Sequence, residues 1–263
     1  MDQQPSGTPS TVTPAAVPGP AEPPPPPVVA VAAAAERAAP AGDTWDGAHI
    51  VWDWNGTLLH DIDVVLEATN ASFHEIGMPP ITLEHYRELY CVPIPRFYQR
   101  LLGRVPSAAE WEVMDGAFHR HYFARCERAE LAADCADLLA GWTAGGGTQS
   151  VCSLAPHDRL LPWVARLGIE RHFVRIDGDL GTGTREGKAA AMARHVTELP
   201  GVSAERTVVI GDAADDARAA RHAGAKAVLY SGGSHSRASL EKVGVPVVDT
   251  LTEAVAVART LVV

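Results

Sequence analysis

The chain has 263 residues, is 46 % hydrophobic and carries a formal net charge of −10 at pH 7. This is enough for one hydrophobic core and a smaller accessory domain. No Lys/Arg-rich stretch breaks the acidic balance, which argues against nucleic acid and against a membrane surface as partners, because both require a basic surface.

The first 46 residues are rich in Pro, Ala and Ser, and Pro23–Pro27 are consecutive. Such a segment buries too little apolar surface to fold, so we predict a disordered or polyproline tail over 1–46. Its apolar run 28–35 is too short for a membrane span, and no basic region precedes it as in a secretory signal. The four cysteines lack the spacing of a zinc site or redox pair. We therefore predict a cytoplasmic protein with reduced thiols.

Residues 49–54 predict a buried strand that ends at the turn pair Asn55-Gly56. Helical spacing then predicts a helix over 62–77, and prolines divide 82–130 into further helices. The sequence therefore predicts a helical insert over 62–131, between two parts of a core formed by 47–61 and 132–263.

Strand and helix patterns alternate from residue 134 onwards, which predicts a mainly parallel sheet covered by helices on both faces. Ligands bind such sheets beyond the carboxyl ends of the strands. The predicted strands cover 148–153, 174–176, 207–210, 227–230 and 245–248, and the predicted helices cover 138–144, 157–167, 186–199, 215–223, 236–243 and 251–261.

Reactive groups follow the predicted strands or begin the next helix. Asp53 ends the first strand, Ser153 ends the second, and Lys188 lies near a helix start. Asp212 and Asp216 follow the apolar strand 207–210. Converging carboxylates repel one another unless a cation offsets them, and Mg²⁺ prefers hard oxygen ligands. A phosphate at such a site also needs a lysine and hydroxyl donors, and Asp53 could attack its phosphorus.

Each residue alone has a simpler explanation. A strand-end aspartate is commonly a turn former or helix cap, and an aspartate after a strand can favour the positive end of the next helix. A lysine at a helix start can be a solvated surface residue. The order of the groups along the chain, each beside a strand or helix start, is what indicates a common site.

This ordered set resembles the four motifs of the haloacid dehalogenase superfamily over residues 48–263. The segment 53–57 resembles its first motif, Ser153 its second, Lys188 its third, and Gly211-Asp212 with Asp216 its fourth. Residues 55–58, 68–70 and 77–79 further resemble the phosphoglycolate phosphatase-like branch.

The resemblance implies a Rossmann-like three-layer α/β/α core with an inserted helical cap, and a Mg²⁺-dependent phosphohydrolase acting on a small phosphorylated metabolite. It implies Mg²⁺ ligands at Asp53, Asp212 and the Asn55 backbone carbonyl, with Asp216 either as a further ligand or as an acid that supports the ligands. Phosphate contacts are implied at Ser153 and Lys188, and at the first-motif residues Gly56 and Thr57.

Asn55 departs from the family pattern, in which a second aspartate protonates the leaving group and later activates water. An amide cannot exchange a proton near neutral pH, so general acid–base catalysis worth ~10²–10⁴-fold is absent at this position. Asp61, Asp63, His60 and Glu67 are nearby candidates for a substitute acid.

Three interpretations follow from this departure. The protein hydrolyses phosphate esters slowly or with a leaving group that needs little protonation; it performs different chemistry; or it binds a phosphorylated ligand or protein partner without turnover. The phosphonate-cleaving relatives need a cap lysine, and the insert contains none. The magnesium-independent dehalogenase relatives do not fit the carboxylate-rich fourth motif.

Two further motif assignments rest on position. Lys188 is followed by Ala189 where the branch often has proline, but no other lysine lies between the second and fourth motifs. Ser150 is the alternative to Ser153 but lies in mid-strand. We expect Arg96, Tyr98, Arg100 and Tyr86 in the insert to set substrate specificity, since arginine suits a carboxylate or second phosphate. Substrate identity and oligomeric state are not readable from the sequence.

Overall fold

The computed structural model describes residues 45–181 and 187–262, and contains a six-stranded parallel sheet. Its strands are β1 (His49–Trp52), β4 (Thr148–Pro156), β5 (Arg175–Asp179), β6 (Thr207–Gly211), β7 (Lys226–Tyr230) and β8 (Val247–Val248). They lie side by side in the order β5-β4-β1-β6-β7-β8. The prediction of a parallel α/β sheet is confirmed.

Two layers of helices cover the sheet. The first packs on the face that carries Ile50, Trp52 and Ile210, and the second on the face that carries Val51 and Val209. Alternate strand residues thus point to opposite faces, and both faces are apolar because both are buried. The first layer comprises α5 (Cys135–Ala144), α6 (His157–Arg166) and α10 (Leu251–Leu261); the second comprises α7 (Ala189–Thr197), α8 (Ala214–His222) and α9 (Arg237–Glu241).

The strand order reverses at β1. From β1 the chain runs to β4 and β5 on one side, then crosses to β6, β7 and β8 on the other. Trp52 pairs with both Val151 and Ile210, so the residues after these three strands emerge together. Reversal points of this kind form a crevice at the carboxyl ends of the strands.

Four α-helices between residues 62 and 123 separate β1 from β4 along the chain and form the helical insert. They surround a separate apolar cluster that includes Phe73, Phe97 and Met114. A short antiparallel pair, β2 (Leu59–His60) with β3 (Glu130–Leu131), closes the base of the insert and was not predicted. The helices are α1 (Ile62–Glu75), α2 (Leu83–Leu89), α3 (Ile94–Leu102) and α4 (Ala108–Phe123).

Ordered packing begins earlier than the sequence analysis placed it. Trp45, assigned to the tail, stacks on Trp142 with ring centroids 5.4 Å apart, and Arg259 lies over its ring. Its indole N–H also donates to the Trp142 carbonyl at 2.8 Å. The rest of the predicted tail, residues 1–44, lies outside the described residues. No helix in the described ranges has the length and apolarity needed to cross a membrane.

A buried chain of hydrogen bonds crosses strands β1, β4 and β5. The Ser150 hydroxyl lies 2.8 Å from His49 Nε2 and 2.7 Å from His195 Nε2, and His195 Nδ1 lies 2.7 Å from Asp177. An ionised Asp177 can only accept hydrogen bonds, so His195 carries its proton on Nδ1 and donates it to Asp177. His195 Nε2 then accepts a hydrogen bond from the Ser150 hydroxyl. The Ser150 oxygen in turn accepts a hydrogen bond from His49 Nε2. Ser150 therefore serves the core, which favours Ser153 as the second-motif serine.

Candidate active site

Three carboxylates meet at the carboxyl edge of the sheet. Asp53 follows β1, Asp212 follows β6, and Asp216 lies in the first turn of α8 (Ala214–His222). Their ligand oxygens lie within 4.8 Å of one another, and both Asp212 and Asp216 are only 2 % exposed. Burial raises the pKa of Asp53 and of Asp212, and the neighbouring carboxylates raise both further.

Lys188 is the cation that holds two of these carboxylates. Its ammonium donates to Asp53 at 2.5 Å and to Asp216 at 2.7 Å. The loop before α7 is fixed by Asp215, whose carboxylate accepts from the Lys188 backbone N–H at 2.8 Å. Burial would lower the pKa of Lys188, but the two carboxylates outweigh it and hold the pKa above its usual value. Lys188 therefore stays charged.

Asp212 is seated between glycines and has no cation among its described contacts. A Cβ on Gly56 would lie 2.5 Å from its Oδ2, and one on Gly233 would lie 2.2 Å away. Gly56 also has φ +71°, which side chains rarely adopt. The backbone N–H of Ser234 donates to Asp212 at 2.5 Å. Only residues without a side chain let the backbone approach this carboxylate so closely.

This donor set fits a divalent cation. Three buried carboxylates and one lysine leave an excess of negative charge, which is costly in a buried site without a further cation. The donors are all hard oxygens, and Mg²⁺ prefers such ligands to nitrogen or sulfur. Asp53, Asp212 and Asp216 would hold the ion, and the Asn55 backbone carbonyl is the further ligand implied by the family resemblance.

The Asn55 side chain points into a triangle of hydrogen bonds with Asp61 and Tyr122. Its Nδ2 donates to Asp61 Oδ2 and to Tyr122 Oη, each at 2.7 Å, and Tyr122 Oη donates to Asp61 Oδ2 at 2.7 Å. Asp61 Oδ1 accepts from the Gly56 N–H at 2.8 Å. Burial raises the pKa of Asp61, whereas these hydrogen bonds lower it. Both N–H groups of Asn55 are used, which leaves its Oδ1 as the remaining polar atom.

A cavity of about 350 Å³ opens above the carboxylates and continues into the helical insert. Asp53, Asn55, Ser153 and Lys188 line its floor together with Asp212 and Asp216. Aromatic side chains of the insert line its walls. The acidic cluster thus lies at the floor of a cavity of the size that small ligands occupy.

Most of the predicted site residues reach this cavity, but four of them do not. The structure brings Asp53, Asn55, Ser153, Lys188, Asp212, Asp216, Tyr86 and Tyr98 to it. Arg96 and Arg100 are exposed on α3 and do not line it. The Gly56 N–H is engaged by Asp61, and the Thr57 hydroxyl is fully buried without a described partner. Neither Gly56 nor Thr57 lines the cavity.

Two contacts that support the site are not indicated by any pattern in the sequence. Arg87 on α2 donates to the Gly233 carbonyl at 2.8 Å and to the Gly232 carbonyl at 2.7 Å, and so joins the insert to the loop that holds Asp212. Tyr122, at the end of α4, completes the Asn55 triangle. No motif indicates either residue. Asp61 was one of several candidates, and only the fold distinguishes it from Asp63, His60 and Glu67.

Comparisons with known proteins agree with this architecture. The model of the haloacid dehalogenase-like hydrolases matches residues 48–224. A phosphoglycolate phosphatase of Chromobacterium violaceum is 26 % identical over 193 residues, which cover 70 % of this chain and 85 % of that protein.

Solved structures share the fold at lower identity. A candidate phosphoglycolate phosphatase from Lactobacillus delbrueckii subsp. bulgaricus superposes with a TM-score of 0.71 at 21 % identity, covering 81 % of this chain and 98 % of that one. Protein Tyrosine Kinase A of Mycobacterium tuberculosis superposes with a TM-score of 0.68 at 22 % identity, covering 81 % and 99 %. These two relatives have different named activities, so the shared fold alone does not identify a substrate.

Proposed function

Because the chain belongs to the haloacid dehalogenase-like hydrolases, we propose that it is a Mg²⁺-dependent phosphatase that hydrolyses a small phosphate monoester through an aspartyl-phosphate intermediate. The observation that carries this proposal is the meeting of Asp53, Asp212, Asp216 and Lys188 on the floor of one cavity. The named activity of the bacterial relatives, phosphoglycolate phosphatase, supports the phosphatase class.

In this proposal Asp53 is the nucleophile. One of its carboxylate oxygens bonds to phosphorus, and the bond between phosphorus and the leaving-group oxygen breaks. Water then attacks the aspartyl phosphate, releases inorganic phosphate and restores Asp53. Lys188, with its ammonium 2.5 Å from Asp53, and the Ser153 hydroxyl hold the phosphate oxygens. Mg²⁺ at Asp53, Asp212, Asp216 and the Asn55 carbonyl would neutralise charge on the transferring group.

The domain roles follow from the same proposal. Residues 47–61 and 132–263 form the catalytic core, and residues 62–131 form a cap that encloses the leaving group. The cap would contribute specificity through Tyr98, which lines the cavity, while Arg96 and Arg100 are exposed.

The alternative is a protein that binds a phosphorylated ligand without turning it over, and the observation in its favour is the amide at position 55. Phosphate release from phenyl phosphate with Mg²⁺ separates the two functions. We expect the wild type to release phosphate, and we expect the rate of release in Asp53→Asn to fall to the uncatalysed background. Asp63→Asn, an exposed aspartate on α1, is the matched control and should retain activity. Equal rates in wild type and Asp53→Asn would overturn the proposal.

A further inference from the structure

The walls of the cavity are largely aromatic. Phe97 packs edge-on against Tyr90 and Tyr98, with ring centroids 5.1 Å and 5.8 Å apart. Tyr98 packs edge-on against Trp111 at 5.5 Å. All four rings line the cavity. Edge-to-face packing of this kind is a favourable arrangement of aromatic rings, and the surface that these rings present to a ligand is largely apolar.

The described lining of the cavity contains no arginine that could pair with a second negative charge on the substrate. Among its described lining residues, Lys188 is the one permanently charged cation, and it already contacts Asp53 and Asp216. Asp115 adds a further carboxylate to the wall beside His119. A leaving group with its own carboxylate would therefore meet rings and an acidic residue, and its desolvation would be uncompensated.

The floor of the cavity lacks a proton donor for the leaving group at position 55. Asn55 is an amide, and Asp61 behind it does not line the cavity. The Tyr122 hydroxyl gives its proton to Asp61 and accepts from Asn55, so both of its roles are taken within the triangle. Without a carboxylic acid at this position, the favoured leaving oxygen is one that needs little protonation, and a phenolic oxygen (pKa about 10) departs far more readily in that way than an alkyl alcohol.

These two observations point to the same substrate class. Resting on the proposed phosphatase function, we propose that this site is selective for aryl phosphates, the phosphate monoesters of aromatic hydroxyl groups that carry no second anionic group. Asp53 forms the bond to phosphorus, and the phosphorus–oxygen bond to the ring breaks. The phenolate leaves with the bonding electron pair and takes a proton from solvent. Water then cleaves the aspartyl phosphate, and its proton goes to phosphate or solvent.

Three substrates separate the two parts of the inference. Phenyl phosphate and benzyl phosphate both carry a benzene ring but differ in the acidity of the leaving oxygen, and 2-phosphoglycolate replaces the ring with a carboxylate. With Mg²⁺ we expect kcat/KM for phenyl phosphate to exceed that for benzyl phosphate by ~10²-fold or more. We expect 2-phosphoglycolate to be the poorest substrate. Equal rates on phenyl and benzyl phosphate, or a preference for 2-phosphoglycolate, would refute the inference while leaving the phosphatase function intact.

A pair of exposed positions tests the cavity wall. Ile94 is 39 % exposed and lines the cavity, whereas Val113 is 44 % exposed on α4 and does not. Ile94→Arg should raise KM for phenyl phosphate and lower KM for 2-phosphoglycolate, and Val113→Arg should change neither. His119→Gln should leave the phenyl-to-benzyl ratio unchanged. A selective loss on benzyl phosphate there would identify His119 as a proton donor and contradict the inference.

A binding measurement keeps the inference testable if turnover is absent. Calorimetry on the wild type with Mg²⁺ compares phenylphosphonate with phosphonoacetate, which are not esters and so are not hydrolysed, and which differ in ring and carboxylate. We expect phenylphosphonate to bind about tenfold more tightly or better. That result without phosphate release from any monoester would reject the phosphatase and keep aromatic recognition. Tighter binding of phosphonoacetate would reject aromatic recognition.

Discussion

Exchanging the amide and the carboxyl between positions 55 and 61 tests the hydrogen-bonded triangle most directly. In the wild type, Asn55 donates to Asp61 and Tyr122, and Tyr122 donates to Asp61. In the double variant Asn55→Asp/Asp61→Asn, the amide at 61 would donate to the carboxylate at 55 and to Tyr122, and Tyr122 would donate to the carboxylate. The numbers of donors and acceptors and the net charge are unchanged, but the carboxyl moves to the cavity.

The single variants should each be destabilised. Asn55→Asp places a second carboxylate oxygen 2.7 Å from Asp61, a repulsion of about 6 kcal/mol at an effective dielectric constant of about 20. The two carboxylates can avoid this repulsion by binding one shared proton. Protonating a carboxyl of ordinary pKa at pH 7 costs about 4 kcal/mol, which is therefore the upper limit of the destabilisation. Asp61→Asn places the amide of residue 61 against the amide of Asn55 and leaves one buried N–H without an acceptor. We expect this to lower the free energy of unfolding by about 1–3 kcal/mol.

The double variant should cost only about 1 kcal/mol, far less than the sum of the singles, because the triangle is restored. A carboxyl lining the cavity can also exchange protons with the leaving group. We therefore expect kcat/KM on benzyl phosphate to rise by ~10²–10⁴-fold, with a smaller change on phenyl phosphate.

Urea unfolding of the four proteins measures the coupling, and phosphate release from the two esters measures the catalytic effect. A double variant as unstable as the summed singles would show that the three side chains do not act as a unit. A stable double variant with no gain on benzyl phosphate would show that proton transfer at position 55 does not limit the reaction.

Two further predictions concern the insert and the buried histidines. Arg87→Lys keeps the positive charge but loses the planar fork that bonds both the Gly232 and the Gly233 carbonyl. We therefore expect urea titration to show a loss of about 1 kcal/mol in the free energy of unfolding. Unchanged stability would mean that this contact is not formed in solution. Burial lowers the pKa of His49 to about 3. Between about pH 6.5 and 3, His49 therefore binds a proton in the unfolded chain but not in the folded protein. The free energy of unfolding should fall as the pH drops through this window. His49→Gln should reduce the slope of unfolding free energy against pH in this window by up to about 1.4 kcal/mol per pH unit, whereas the exposed-site control His85→Gln should keep the wild-type slope.

The sheet and its reactive edge could be predicted because they depend on local patterns. Apolar runs such as 207–210 alternate with helical spacing, and parallel strands bring their carboxyl ends to one edge. Asp53 and Asp212 each directly follow such a strand or its last glycine. Their convergence thus follows from topology alone, without knowledge of any side-chain contact.

The residues of the insert that line the cavity or contact the core could not be predicted in the same way. Arg96 and Arg100 were chosen for their charge, but the faces of α3 are set by how the insert packs on itself, and that packing buries Phe97 and Tyr98 instead. Arg87 and Tyr122 act over long sequence separations, on Gly233 and Asn55 respectively. Contacts of this kind depend on the docking of the insert onto the core, which leaves no periodic pattern in the sequence.

The short β2–β3 ribbon has a consequence for how such proteins diversify. His60 pairs with Glu130, so the chain leaves the sheet and returns to it at neighbouring points, about one strand spacing apart. A different helical segment with ends at that separation could be grafted between them without shifting the register of the six strands. The scaffold that carries the chemistry and the module that surrounds the ligand can therefore be exchanged independently.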